Sequence, residues 1–151
     1  MLRIDHVVFP VWHAKASLAF YRDVMGFELL QSLSGPDWGG YPWLMMIFSP
    51  GDGREIVLVA LKGAKKPKAD GLAKDVRHIA FGATSTAALA KWRKKLTAAR
   101  IDFWEESHGD RMSLYFADPN GVILEVTAPP AHAKGKTGRK ALSHAEAWIA
   151  A

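Results

Sequence analysis

The sequence contains no cysteine, which excludes disulfide bonds and metal sites built on thiolates. It has no apolar run long enough to cross a bilayer, so no membrane-spanning segment is expected. The N-terminal stretch MLRIDHV lacks the apolar core and cleavage site of a signal peptide, so a cytoplasmic location is expected. The remaining composition is ordinary: 151 residues, 49% hydrophobic and 23% charged, enough for one domain with a substantial core.

The formal net charge of +5 is concentrated in two segments. Residues 62–75 hold five lysines and two aspartates, and residues 129–151 hold four basic residues and one glutamate. A nucleic-acid-binding protein instead concentrates positive charge on one folded face or along one helix. We therefore expect no nucleic-acid partner, and we interpret 62–75 as a linker and 129–151 as a basic C-terminal tail. The stretch ALSHAEAWIA in this tail favours a short helix.

Two stretches, IDHVVFPVWHAKASLAF from Ile4 and VRHIAFGATSTAALAKW from Val76, share one pattern. Each places a histidine in an apolar, β-branched run that a helix-like segment follows. The predicted elements are strand 4–11, helix 14–25 and strands 27–33, 41–48 and 55–61, then strand 76–81, helix 85–99 and strands 101–105, 112–116 and 122–127. The same order therefore occurs twice, which indicates internal duplication. We predict an α+β fold with two βαβββ modules, 2–61 and 76–128, in a single domain of residues 1–128.

His6 and His78 occupy equivalent places in the two modules, and Glu125 lies in the apolar run GVILEVTAP. A lone strand histidine is ordinarily a hydrogen-bonded core residue, but an ionised carboxylate is costly to bury without a partner. If the modules pack around a pseudo-two-fold axis, the three side chains can share a divalent metal ion and leave open coordination positions. The pattern therefore predicts one metal site formed by His6, His78 and Glu125. It does not choose between iron, manganese, zinc and nickel.

The paired stretches DHVVFPV…SLAFYRDVMGFEL and RHIAFGA…ALAKWRKKL, together with LYFADPNGVILEVTAP, resemble the vicinal oxygen chelate superfamily. This group includes glyoxalase I, bleomycin-resistance proteins, fosfomycin-resistance transferases and extradiol dioxygenases. The resemblance covers residues 2 to 128. It implies a half-open mixed β-barrel around a metal, a small-molecule substrate with two adjacent oxygens, and a homodimer. Metal ligands in the family come from the first and last strands of each module, and His6, His78 and Glu125 match three of the four positions.

The resemblance implies that a fourth ligand lies in the strand REIVLVAL. Aligning this strand on GVILEVTA sets Leu58 opposite Glu125 and turns Glu55 to the other side, unless the strand slips by one residue. Leucine cannot ligate, which argues against the four-ligand site of glyoxalase I. Val8 and Glu105 stand where the fosfomycin transferases have threonine and lysine. We therefore favour a metal-dependent, dioxygenase-like enzyme, with a glyoxalase I-like lyase or a non-catalytic binder of the bleomycin-resistance type as alternatives.

Five further residues are candidates for chemistry or substrate binding. Tyr115 matches a family position that often points into the cavity, although a tyrosine here can also pack within the sheet. His108, near a predicted hairpin, is a candidate general acid or base, or an exposed turn residue. Trp38, Tyr41 and Trp43 can line an aromatic substrate pocket, or can serve core packing or a dimer contact.

Overall fold

The structure, a computed structural model, describes residues 2–129 and 138–151. The first module consists of β1 (His6–Val11), α1 (Ala14–Ala19), β2 (Glu28–Trp38), β3 (Tyr41–Ser49) and β4 (Glu55–Leu61). The second consists of β5 (His78–Gly82), α2 (Thr86–Ala98), β6 (Phe103–Ser107), β7 (Met112–Ala117) and β8 (Ile123–Ala128). A 3-10 turn, Lys74–Val76, precedes β5, and α3 spans Gly138–Ile149. Residues 130–137 of the predicted tail lie outside the described residues.

Each module forms its own four-stranded mixed sheet, in the order β1-β4-β3-β2 and β5-β8-β7-β6. The first and last strands of each module pair in parallel, and the other neighbours pair antiparallel. Within the described residues the two sheets do not close into a barrel. The prediction of two βαβββ modules in a half-open α+β fold is confirmed.

A single hydrophobic core joins the two modules on the helix side of both sheets. Phe20 of the first module packs against Phe116 of the second with ring centroids 6.4 Å apart, and Phe27 meets Phe81 at 5.4 Å. Because side chains alternate along a strand, the opposite face of each sheet carries a different set of residues. We call this second surface the open face.

The predicted helix over residues 14–25 has an irregular second half. The α-helix ends at Ala19, and the chain continues as a π-helical turn over Phe20–Val24. The wider turn leaves the consecutive residues Phe20 and Tyr21 both buried. A π-helical turn holds one residue more than an α-helical turn, which breaks the 3.6-residue period. Because the sequence pattern was interpreted with that period alone, it predicted a regular helix.

The predicted end of β2 at Leu33 is wrong, because the strand continues to Trp38. A register shift between Gly35 and Trp38 accommodates Pro36, and the hairpin turns at Gly39 and Gly40. Both glycines have positive φ, 62° and 91°, which is the conformation that a tight two-residue hairpin requires. The turn residues in SGPDWGG therefore mark an irregular strand as well as a loop.

The side chain of Asn120, in the turn between β7 and β8, links the modules. Its Oδ1 accepts hydrogen bonds from the backbone N–H groups of Trp12 at 2.8 Å and His13 at 3.2 Å. Its Nδ2 donates to Ser17 Oγ at 2.8 Å and to Asp118 Oδ2 at 3.2 Å. Asn120 is buried, so this amide holds the end of β1 and the start of α1 against the second sheet.

Tyr21 extends the same polar cluster into the core. Its hydroxyl donates to Asp118 Oδ2 at 3.2 Å, and the residue is fully buried. Burial, and then the negative charge of Asp118, raise the pKa of Tyr21 above its ordinary value. The hydroxyl therefore stays protonated and remains a donor to Asp118.

Helix α3 carries the exposed apolar side chains Leu142, Trp148 and Ile149. No helix in the described part of the chain is long and apolar enough to span a membrane.

We expect Asn120→Ala to lower the free energy of unfolding by about 2–4 kcal/mol, because it leaves several buried groups without hydrogen-bond partners. Chemical denaturation measures this loss. The matched control is Gln31→Ala, which removes an exposed amide from β2. Equal stability of the two variants would contradict the linking role of Asn120.

Candidate functional site

His78 and Glu125 meet on the open face of the second sheet. They lie on the neighbouring strands β5 and β8, where Ala80 is the register partner of Glu125. His78 Nε2 is 3.0 Å from Glu125 Oε2, and Glu125 is buried. The parallel register and the alternation of side chains therefore bring two of the three predicted metal ligands into contact.

The protonation pattern of His78 follows from its other ring nitrogen. Nδ1 lies 2.6 Å from the backbone carbonyl oxygen of Asp75, and a carbonyl can only accept. Nδ1 therefore carries a proton, and in the neutral ring Nε2 presents a lone pair to the Glu125 carboxylate. Two acceptors at 3.0 Å need a positive centre between them, either a second proton or a metal ion.

This arrangement fits a metal ion. Histidine ligands commonly donate their second N–H to a backbone carbonyl, which fixes the tautomer and the ring orientation. Two ligands at about 2.1 Å from one metal and at roughly a right angle lie about 3 Å from each other. The observed nitrogen–oxygen separation of 3.0 Å is therefore suitable for two neighbouring ligands of a single ion.

Hydroxyl groups hold the other carboxylate oxygen of Glu125. Ser113 Oγ donates to Oε1 at 2.6 Å and lies 3.0 Å from Thr127 Oγ1. Because the single proton of Ser113 is directed at Glu125, Thr127 is the donor to Ser113. All three side chains are buried, so the carboxylate orientation is fixed.

Tyr115 and His108 flank the pair. Tyr115 is the register partner of Glu125 on β7, and its ring meets the His78 ring edge-on at 5.5 Å. Burial, and then the negative charge of Glu125, raise the pKa of Tyr115 above its ordinary value. His108 Nε2 lies 3.0 Å from the Tyr115 hydroxyl. Tyr115 thus lies at the His78–Glu125 pair, and His108, from the β6–β7 hairpin, contacts the Tyr115 hydroxyl.

His6 is not part of this cluster. It lies on the open face of the first sheet in register with Glu55, and its Nδ1 is 2.9 Å from Asp5 Oδ1. Its side chain is 50% exposed. Across residues 2–129 and 138–151, no three His, Asp or Glu side chains converge in a way that could hold a metal ion. One chain therefore brings together two of the three predicted ligands.

The predicted alignment of Leu58 with Glu125 is wrong by one residue. Leu58 pairs with Phe9 and is fully buried in the core, whereas Val57 pairs with Val8 on the open face. Val57 therefore takes the place in the first module that Glu125 takes in the second. A shift by one residue moves every side chain of a strand to the opposite face, so Glu55 also lies on the same face as His6. The conclusion that this position lacks a ligand still holds, because valine cannot bind a metal.

The aromatic residues predicted to bind substrate lie elsewhere, at the β2–β3 hairpin. Trp38 and Trp43 meet edge-on at 5.6 Å, and Tyr41 is the register partner of Trp38. Trp43 and Trp12 line a cavity of about 410 Å³ whose walls all come from residues 11–64. These side chains therefore form a cluster of the first module.

The sequence interpretation missed four residues around the pair: Ser113, Thr127, Trp104 and Asp75. Ser113 and Thr127 are two positions from Tyr115 and Glu125, so strand alternation places them on the same face. That signal was present in the sequence. The roles of Trp104 and of the Asp75 carbonyl depend on strand register and backbone geometry, which the sequence pattern does not specify.

The fold and these residues can be compared with known proteins. A sequence profile described as the Glyoxalase/Bleomycin resistance protein/Dioxygenase superfamily matches residues 3–126. The chain belongs to this superfamily. The match includes both glyoxalase modules and the residues His6, His78 and Glu125. No curated protein sequence matches the chain.

Solved structures of the superfamily share the fold at low sequence identity. A lactoylglutathione lyase from Agrobacterium tumefaciens is 21% identical, with a TM-score of 0.61 over 83% of this chain and 92% of that one. The trypanothione-dependent glyoxalase I of Leishmania major is 17% identical, with a TM-score of 0.64 and complete coverage of both chains, 100% each. A fosfomycin resistance protein from Listeria monocytogenes is 15% identical, with a TM-score of 0.61 over 86% and 94%. These likenesses establish the glyoxalase-like fold.

The raised pKa of Tyr115 provides a test of the site geometry. In Glu125→Gln the neighbouring negative charge is lost, so we expect this pKa to fall toward the ordinary value of 10.0. The folded state binds this proton more tightly than the unfolded state. Its contribution to stability is therefore present below pH 10.0 and is lost as the pH rises through the folded pKa.

Tyrosinate absorbance of metal-free protein measures this pKa, and Tyr115→Phe identifies its signal among the three tyrosines. Glu28→Gln, an exposed change on β2, is the control. An unchanged titration in Glu125→Gln would contradict the contact between the two side chains.

Proposed function

We propose that this protein is a metal-dependent enzyme of the superfamily that acts on a small substrate with two adjacent oxygens, in the manner of a dioxygenase. One observation carries the proposal: His78 Nε2 lies 3.0 Å from a buried carboxylate oxygen of Glu125, while His78 Nδ1 is held by the Asp75 carbonyl. Protein interiors do not favour two facing acceptors unless a positive centre lies between them. A divalent metal ion, whose identity is unknown, meets that requirement.

In this proposal the residues of the site have separate roles. His78 and Glu125 would hold the metal, which would bind two neighbouring substrate oxygens as a Lewis acid. Tyr115, kept protonated by burial, donates a hydrogen bond to substrate oxygen beside Glu125. While the Tyr115 hydroxyl donates to substrate, His108 Nε2 donates to the Tyr115 oxygen, and His108 exchanges its proton with solvent because its side chain is 40% exposed.

Val57 favours the dioxygenase class over the lyase class. A second glutamate at this position would complete a four-ligand site, in which the additional carboxylate can share in proton transfer. Val57 has no atom that can bind a metal. Its side chain is buried, and it lies on the same face as its register partner Val8. The remaining set of two histidines and one carboxylate leaves positions open for substrate and dioxygen.

The third ligand, His6, comes from a second copy of the chain in this proposal. Within the described residues of one chain no third ligand joins His78 and Glu125. The open face of the first module exposes Val8, Leu33, Trp38 and Tyr41, with 38% to 50% of each residue accessible. A homodimer that covers this face would shield these side chains and bring one His6 to each pair.

Metal binding and oxygen dependence test the enzymatic proposal. We expect protein purified without an affinity tag to contain one type of divalent metal. His78→Ala and Glu125→Gln should each weaken metal affinity by at least about 10–100-fold, the loss typical of outer-shell changes. Titration calorimetry measures these affinities. The controls are His13→Ala and Glu28→Gln, which change exposed residues of the same types.

Turnover of a panel of catechols and of 2-oxoaldehyde–thiol adducts should then be compared under air and under argon. We expect catechol turnover that requires air and is lost in Glu125→Gln. Oxygen-independent conversion of the thiol adducts would overturn the dioxygenase class in favour of a lyase. Absence of metal binding would overturn the enzyme and favour a small-molecule binder.

Subunit complementation tests the origin of His6. His6→Ala and Glu125→Ala chains, carrying different tags and co-expressed, should form a heterodimer with one intact and one doubly altered site. We expect this heterodimer to bind about half the metal of the wild-type dimer, whereas each parent homodimer binds little. Metal analysis after tandem purification gives the ratio. If the heterodimer binds no more than its parents, His6 does not act across the dimer.

A further inference from the structure

A cavity of about 540 Å³ lies between the modules, beside His78. Its walls are mostly apolar and come from the end of β1, the start of β5 and the turn before β8: Phe9, Pro10, Trp12, Val76, Ile79 and Val122. The described residues that line it include no aspartate or glutamate. The cavity volume is typical of small-molecule sites and accommodates a molecule with one or two rings.

The charged residues on the wall of this cavity are basic. Lys74 and Arg77 line it together with His78. Arg77 forms an ion pair with Asp70 on the exposed surface. Lys74 instead lies over the ring of Trp104, with Nζ 4.6 Å from the ring centroid. An aromatic ring attracts the ammonium group but does not neutralise it as a carboxylate does, so the charge of Lys74 remains available to an anion.

A stack of side chains connects Lys74 to the proposed metal site. Trp104 stacks on Tyr115 with centroids 5.2 Å apart and an interplanar angle of 17°. Tyr115 in turn contacts His78 edge-on. Lys74, Trp104, Tyr115 and His78 therefore form one continuous series of contacts, and Lys74 and His78 both line the cavity.

The neighbouring cavity on the other side of His78 has a different character. It has a volume of about 590 Å³ and contains two arginines and two acids, Arg3, Arg54, Asp52 and Glu55. Arg54 and Asp52 pair directly at 2.5 Å. Its balanced charge gives no preference for the sign of a ligand, whereas the cavity beside Lys74 favours an anion.

From these observations we infer that the substrate is an apolar molecule with one anionic group, such as an aromatic carboxylic acid. Its anionic group contacts Lys74, its ring packs between Phe9 and Trp12, and its adjacent oxygens face His78, the cavity residue that contacts Glu125. The inference rests on the proposed function for the last of these contacts only. Recognition of the anion requires Lys74 and the apolar walls and does not require metal.

Binding of the monoanion naphthoate, compared with its uncharged amide, tests the inference. Titration calorimetry on metal-free wild-type protein should show tighter binding of naphthoate than of naphthamide. We expect Lys74→Met to weaken naphthoate binding by about 3- to 10-fold and to leave naphthamide binding unchanged. Lys74→Arg should restore the preference, and added salt should reduce it. The control Lys68→Met changes an exposed linker lysine and should have no effect.

Equal affinity of the wild type for the two probes would overturn the inference. The same affinity for naphthoate in Lys74→Met and in the Lys68→Met control would also overturn it. Repeating the titration with Glu125→Gln separates this result from the metal proposal. If Glu125→Gln binds no metal but still prefers naphthoate to naphthamide, the anion site is supported independently of the metal. If Lys74→Met loses this preference while it still binds metal, the preference is due to Lys74.

Discussion

The side-chain amide of Asn120 is the contact on which the relative placement of the two modules depends. It satisfies two backbone N–H groups at the end of β1 and also bonds to Ser17 and Asp118. A buried amide has two N–H donors and two acceptor lone pairs, and those of Asn120 bond to three groups of the first module and to Asp118 of the second. The cavities beside His78 lie between these modules, so their shape follows from this polar contact and from the aromatic core around Phe116.

The sequence was informative where a short-range pattern controls the structure. Duplication of the histidine-containing stretch predicted two modules, and the position of Glu125 in an apolar strand predicted that it is a metal ligand. Alternation along a strand is a local property, so the faces of His78, Tyr115 and Glu125 follow once their strands are located. The same reasoning failed for Leu58, because the register of β4 is set by its pairing with β1 and not by its own composition.

Other features depend on distances that no short-range pattern contains. The contact between His78 and Glu125 results from parallel pairing of strands 47 positions apart in the chain, and the position of His108 results from how the β6–β7 hairpin bends. The sequence also treated His6 and His78 as equal members of one site. The structure makes them unequal: the second open face has a buried polar network, whereas the first carries Val57 and an exposed His6. The two modules therefore share one scaffold, and the buried network of Ser113, Glu125 and Thr127 lies in the second.

The turn Lys74–Val76 joins the end of the linker to the second module. Lys74 lies over Trp104, and the carbonyl of Asp75 orients His78, so the last residues of the linker belong with the second module. If two chains exchanged their second modules by a hinge earlier in the linker, Lys74, Asp75, His78 and Glu125 would move as an intact unit. Only the identity of the chain that provides β1 would change. Swapped and unswapped assemblies would therefore place the same side chains around His78, and such an exchange could become fixed during evolution without altering that set of residues.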